Sequence, residues 1–288
     1  MYQFTRSVLI SPLLLQTSFF LPLLGVLHKS KRNMILKAGS FYIPKKNALK
    51  PQGEDAHFIC PQQQAFGVAD GVGGWVKQGV DSGEYARELM KNSTIALQAE
   101  PEDAVDLERV LRVACSNTNA IGSSTACIMQ LFNECLHAVN VGDSGFLVIR
   151  DGKIFYSSPI QQHKFNCPYQ LGNNPKCDQP NSAMVSDYTC FPASFCAIFE
   201  NFHIDYFLSW ICQVLKVPIK LGDVIVAGTD GLFDNFGSTV GSMDAHHSSL
   251  QRDCLSPFSE ASKMAGFNYL GGKKDDITVV VAYVVPSE

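Results

Sequence analysis

The stretch Ala65-Phe66-Gly67-Val68-Ala69-Asp70-Gly71-Val72-Gly73-Gly74-Trp75 is an apolar run that stops at an aspartate and breaks into glycines. Residues 65–69 read as a strand with Asp70 at its end, a rigid place to hold a ligand. Gly71 lets the backbone approach closely, and its carbonyl can itself serve as a ligand. The arrangement recurs in Gly53-Glu54-Asp55-Ala56-His57, in Gly228-Thr229-Asp230-Gly231-Leu232-Phe233-Asp234-Asn235 and in Lys274-Asp275-Asp276-Ile277-Thr278. Each places carboxylates beside an apolar run, next to glycine or a turn. Carboxylates converging without Cys or His at metal spacing suit hard, oxygen-ligated ions such as Mg²⁺ or Mn²⁺. Two such ions can share a bridging hydroxide and attack a phosphorus centre.

Outward from these motifs the pattern alternates between helical and extended periods. Residues 82–98 have helical spacing, with Tyr85, Leu89 and Ile95 on an apolar face and Ser82 as N-cap. Residues 103–120 predict a second helix with a stripe of Val105, Leu107, Val110, Leu111 and Ala114. Residues 125–131 and 136–141 are β-rich and joined by a turn at Asn133-Glu134. Residues 146–149 and 154–156 flank Asp151-Gly152, a hairpin signal. Residues 224–227 and 277–285 are further strands. Many antiparallel strands with few helices predict an α+β layered sandwich.

The four motifs, in this order, resemble the metal-dependent type-2C Ser/Thr protein phosphatases. The Asp70-Gly71-Val72-Gly73-Gly74-Trp75 version is similar to the organellar branch. The likeness extends to Gly122-Ser123-Ser124-Thr125-Ala126-Cys127, Asn140-Val141-Gly142-Asp143-Ser144-Gly145-Phe146 and Gln161-Gln162-His163-Lys164-Phe165-Asn166. It covers about 53–172 and 217–286. It implies a four-layer α-β-β-α sandwich around two antiparallel sheets. It also implies hydrolysis of phosphoserine and phosphothreonine in protein substrates by metal-activated water. The expected cofactors are two Mg²⁺ or Mn²⁺ ions, with a weaker third position.

Residue by residue, the resemblance makes Asp70 the bridge between both metals, with the Gly71 carbonyl beside it. Glu54, Asp230 and Asp275 become the other principal ligands, and with Asp70 they are the catalytic set. Asp143 and Asp234 match residues linked to the third metal, although Asp234 could equally cap a local turn. Asp55 and Asp276 are expected just behind the ligands, orienting metal-bound water. Many relatives carry a histidine after the second motif's Asp-Gly as general acid; here Val72 stands there. The family's phosphate-binding arginine is also absent. Lys50 has its spacing, but an ammonium is a poorer bidentate clamp than a guanidinium. His57 and Trp75 read as packing beside the site, and the role of His163 does not follow from the sequence.

The chain has 288 residues, a net charge of −4 and 46% hydrophobic residues, which fits one large domain with extensions. No basic patch points to nucleic acid. Its ten cysteines form no Cys-x-x-Cys pair and read as reduced thiols, Cys127 and Cys135 among them. No Asp or Glu precedes Glu54, while Arg6, Lys29, Lys31, Arg32, Lys37, Lys45, Lys46 and Lys50 do. Residues 1–52 therefore read as a targeting and linker segment, with 28–52 a polar linker, ahead of a phosphatase domain at 53–288. The acid-free basic leader resembles a transit peptide for mitochondrion or chloroplast. The alternative is membrane contact through an anchor at 7–27, an uncharged run weakened by Pro12 and Pro22.

Two stretches depart from the family pattern. Residues 186–213 are aromatic-rich and aperiodic, and read as an insertion such as translated intron, in a plant splice or gene-model variant. After Asn235, where the family has a long helical segment, the sequence reads as lacking that packing helix, with only a Ser/His/Gly-rich stretch at 236–253. Together they motivate a rival expectation: a regulatory or binding isoform that keeps the acids but not the turnover.

Overall fold

The computed structural model describes residues 33–47, 51–101, 105–173, 177, 183–186, 212–236 and 245–287. Two main sheets form its centre. The first has the order β1 (Met34–Ile43), β15 (Ile277–Pro286), β14 (Val224–Gly228), β7 (Gly145–Arg150) and β8 (Lys153–Ser157), with every neighbour antiparallel. The second has the order β12 (Ala183–Ser186), β13 (Cys212–Pro218), β6 (Cys135–Val141), β5 (Ala126–Phe132), β3 (Ala65–Asp70) and β2 (Asp55–Cys60). It is antiparallel except for the β12–β13 pair. Short pairs join β4 (Ser123–Ser124) to β11 (Leu171–Gly172), and β9 (Gln162–Lys164) to β10 (Cys167–Pro168).

The period-2 alternation of the strands divides the core into layers. Phe66 and Val68 of β3 and Cys127 and Met129 of β5 point between the sheets. There they meet Phe146 and Val148 of β7, Ile225 and Ala227 of β14, and Val280 and Ala282 of β15. The intervening residues Ala65, Ala69, Ala126 and Ile128 face the other way, against helices α1 (Ser82–Ala99) and α2 (Leu107–Asn117). On the far side of the first sheet, Ile277, Val226 and Val279 pack with Leu232 of α3 (Asp230–Phe233) and Ala245 of α4 (Ala245–Leu250). This is the expected four-layer order. Helix α5 (Pro257–Met264) follows, started by a capping box between Ser256 and Ser259.

The hairpins form where expected. Asp151 and Gly152 both have positive φ, 52° and 71°, as the two-residue turn between β7 and β8 requires. Five details differ. Residues 34–43 are not linker: β1 pairs with β15 over ten residues and buries Met34 and Leu36. Helix α1 is capped by Asp81, whose Oδ1 accepts from Gly83 N at 3.1 Å, not by Ser82. Ile95 is 57% exposed, because Ala96 and Leu97 complete the buried stripe instead. The second helix begins at Leu107 behind the cap Asp106, and Val105 packs just ahead of it. The stretch after Asn235 does contain helix, the six residues of α4.

Residues 7–27 and 187–211, which hold the candidate anchor and most of the expected insertion, lie outside the described residues. Among the described residues no helix is long and apolar enough to cross a membrane.

Candidate active site

Strand pairing brings the motifs together. The β2–β3 ladder sets Asp55 directly opposite Asp70. The β14–β15 ladder pairs Gly228 with Val279, so that Thr229 and Asp230 emerge beside Asp276 and Thr278. Close backbone approach is why glycine stands at two of these points. A Cβ on Gly71 would lie 2.6 Å from the Ser82 carbonyl oxygen and 2.7 Å from that of Glu54. A Cβ on Gly231 would lie 1.9 Å from the Asp276 carbonyl oxygen.

The acids are held by a network that spans both sheets. Glu54 is buried; its backbone N donates to Asp276 Oδ2 at 2.9 Å, and its Oε1 accepts from Ser82 Oγ at 2.9 Å. Asp55 is also buried, and its Oδ2 accepts from Thr229 Oγ1 at 2.8 Å and Thr278 Oγ1 at 2.7 Å. Those two hydroxyls belong to the first sheet and Asp55 to the second, so the pair of bonds fastens the sheets together at the site. Asp70 is fixed through its backbone, whose N–H donates to Thr125 Oγ1 at 3.0 Å. Thr125 Oγ1 lies 2.7 Å from Ser144 Oγ, next to Asp143. Asp143 Oδ2 accepts from Gln162 Nε2 at 2.8 Å.

Two ammonium groups stand among the carboxylates. Lys45 Nζ lies 2.6 Å from Glu54 Oε2 and 2.9 Å from Asp275 Oδ1. Lys273 Nζ contacts Asp230, and lies 3.1 Å from Asp234 Oδ2 and 3.3 Å from Asp275 Oδ2. The two cations overcome the desolvation of Asp275 and hold its carboxyl below the usual carboxylate range. Elsewhere burial dominates. Desolvation, then the charges of Asp230, Asp55 and Asp275, push Asp70 well above that range. Burial and the neighbouring Asp230 push Asp143 up to about 7. Burial also lifts Asp234 to about 7, with Asp230 adding to it and Lys273 opposing it.

All the donors are oxygen, the chemistry hard divalent ions take. Three buried carboxylate oxygens, Asp55 Oδ1, Asp143 Oδ1 and Asp230 Oδ1, have no hydrogen-bond partner among the described residues. Unsatisfied buried anionic oxygens are costly unless a cation meets them, so the donor set fits Mg²⁺ or Mn²⁺. The side chains are not yet grouped for one: among the described residues no three acidic, His or Cys side chains are arranged to hold a metal ion. The ammonium groups occupy the space between them.

The remaining sequence candidates are placed as follows. Lys50 lies outside the described residues. Trp75 is half-buried and donates from Nε1 to Ser123 Oγ at 2.6 Å. His163 is exposed and packs its ring 4.0 Å from that of Tyr169. His57 lines a groove of about 590 Å³ with Tyr42, Phe58, Arg87 and Lys91, where partial burial lowers its pKa. Lys45, Lys273, Thr229 and Thr278 were not singled out as site residues in the sequence, and Ser82 was read only as a helix cap. Both threonines and Lys273 adjoin motif acids, a signal that could have found them; for Lys45 there was only its place in a lysine-rich stretch.

No family model matches the chain. Similarity to individual proteins is extensive. The chain is 42% identical over 274 residues to probable protein phosphatase 2C 55 of Arabidopsis thaliana, covering 88% of this chain and 52% of that protein. It spans about half the length of the plant relatives it matches. It is 35% identical over 276 residues to the protein phosphatase PTC7 homolog fig of Drosophila grimshawi, covering 82% of this chain and 80% of that protein. The X-ray structure of the photosystem II phosphatase PBCP superposes with a TM-score of 0.71 at 29% identity, over 86% of this chain and 98% of that one. On this identity over most of both chains, and on a fold shared with a solved phosphatase, the chain belongs to the type-2C protein phosphatase family.

Proposed function

We propose that the domain hydrolyses phosphoserine and phosphothreonine in proteins, using water activated by Mg²⁺ or Mn²⁺. The observation that carries this reading is the convergence of the four motifs at one end of the two sheets, where three buried carboxylate oxygens lack a partner among the described residues. Glu54, Asp70, Gly71, Asp230 and Asp275 would hold two ions, and Asp143 and Asp234 a weaker third. Such ions, when bound, lower the pKa of water and neutralise phosphoryl oxygens.

The chain's own contribution is positioning. Asp55, locked by Thr229 and Thr278, keeps the first motif against the third and fourth. Asp276 holds the Glu54 backbone through its Oδ2 and the Lys45 backbone through its Oδ1 at 2.7 Å. Direct attack by water requires no protein nucleophile. With Val72 after Asp70-Gly71, the leaving group must take its proton from solvent or another side chain. The intact packing of the strand ends favours this reading over an isoform without turnover. We place the protein in mitochondrion or chloroplast, on the acid-free leader, with residues 186–213 as an insertion in the domain.

The test is hydrolysis of p-nitrophenyl phosphate and of a phosphothreonine peptide with added Mn²⁺. Activity should be abolished by chelation, and by Asp70→Asn with an unchanged circular dichroism spectrum. Full activity in a folded Asp70→Asn variant would remove Asp70 from the site, and activity that survives chelation would exclude the mechanism.

A further inference from the structure

Lys45 holds a position that the metal reading does not use. Its Nζ bonds one oxygen each of Glu54 and Asp275, at 2.6 and 2.9 Å, and lies 3.7 Å from Asp276 Oδ2. Lys273 takes the other oxygen of Asp275. An ammonium on these oxygens disfavours a divalent ion there. Mg²⁺ binds oxygen at about 2.0–2.1 Å, and two cations that close repel strongly in a poorly hydrated site.

The two lysines are not equivalent. The Lys273 side chain is 13% exposed and the Lys45 side chain 27%. Lys45 also sits on the connection between β1 and β2, not within an element. It has a path to water, whereas Lys273 is boxed in by Asp230, Asp234 and Asp275 and by the Phe258 ring, 5.5 Å away.

We propose that Lys45 is a tethered competitor for the metal position at Glu54 and Asp275, so that loading that position expels the Lys45 side chain and loosens the connection it belongs to. The inference rests on the metal reading above. A tethered ammonium weakens metal binding by the factor by which its inserted state outweighs its withdrawn state, so a tenfold preference weakens apparent affinity about tenfold. Expulsion removes the side-chain contacts of Lys45 with Glu54, Asp275 and Asp276 and leaves its backbone bond to Asp276 with less support. Metal occupancy is thereby read out just ahead of the first motif.

The experiment measures Mn²⁺ binding directly, by calorimetry or by the electron paramagnetic resonance signal of free Mn²⁺, in the full chain without substrate. Lys45→Met keeps the stem and removes the charge; it should tighten Mn²⁺ binding about tenfold. Lys45→Arg keeps the charge and should not tighten it. Lys46→Met, at the exposed neighbour, makes the same change in net charge and should leave affinity within about twofold. In the unsubstituted protein, hydrogen exchange at the Lys45 amide, which is bonded to Asp276, should speed up on Mn²⁺ loading. Equal or weaker binding by Lys45→Met, equal tightening by Lys46→Met, or unchanged exchange overturns the inference while leaving the metal site standing. Absence of Mn²⁺ binding by both the unsubstituted protein and Lys45→Met overturns the metal reading, and this inference with it.

Discussion

Replacing Thr278 by Val removes one of the two hydroxyls that bond Asp55 across the sheets. The site is closed: Thr278 is fully buried and Asp55 is 4% exposed, so no water replaces the lost donor. Valine keeps the β-branched shape, and the backbone N–H that donates to Thr229 Oγ1 at 3.2 Å is retained. The loss depends on the charge of Asp55. Burial pushes its carboxyl well above the usual range, which favours the neutral form in chelated protein; a bond to the neutral group contributes about 1 kcal/mol. With metal bound the carboxylate is ionised, and a bond to a charged group contributes about 2 kcal/mol. For a domain of this size each kcal/mol moves Tm by about 2–4 °C. Thr278→Val should thus melt about 2–4 °C lower in EDTA near pH 5.5, and about 4–8 °C lower with saturating Mn²⁺. Loss of the anchor behind the ligands should also weaken Mn²⁺ binding about 10–100-fold. Melting followed by circular dichroism under both conditions checks the first, and calorimetric titration the second. A Tm within 1 °C of the unsubstituted protein in both buffers would refute the claim that this bond fastens the two sheets.

Protons compete with metal at Asp143 and Asp234. Both fold with pKa values near 7 against 3.8 for the free side chain, so between about pH 4 and pH 7 these groups hold protons in the folded chelated protein that the unfolded chain releases. Their contribution to its stability is lost as pH rises through that window, and the increase in Tm on adding Mn²⁺ should be larger at pH 7.5 than at pH 5. An increase independent of pH would place these two acids outside the metal's reach. Leu36→Ala, in a strand the sequence did not reveal, should cost about 2–5 kcal/mol as a buried large-to-small change, measured by urea unfolding; a cost under about 0.5 kcal/mol would make β1 dispensable to the core.

The motifs were legible because the family's chemistry is written in short, contiguous words, and strand pairing then assembled them without further instruction. Asp55 opposite Asp70 follows from two strands of equal length and a tight turn at 61–64. The strand β1 was not legible because only Met34 and Leu36 reach the core. The rest of it is half-buried or exposed, and Gly39 breaks its alternation. The stripe of α1 was misread at Ile95 because on its way to Ala96 and Leu97 it runs through Ser93, whose hydroxyl bonds back to the Leu89 carbonyl at 2.8 Å and so is buried without being apolar. Ser82 looks like a helix cap, yet Asp81 takes that role and leaves the serine free to hold Glu54. Lys45 and Lys273 escaped because a lysine in sequence signals a solvated surface; only the folded arrangement reveals that the charges facing them are all of one sign.

The pairing of β1 with β15 also has a mechanical side. Met34 sits opposite Pro286 and Ile43 opposite Ile277, and among the described residues β1 has a neighbour on one flank. A pull applied at Asn33 would therefore load this ladder from its end, breaking one pair of backbone bonds after another rather than shearing ten residues at once. A translocating motor drawing the chain in by its N-terminus would meet little resistance until it reached Lys45, where four carboxylate contacts resist together. The loading state of the acid cluster would then set how firmly the chain resists being threaded.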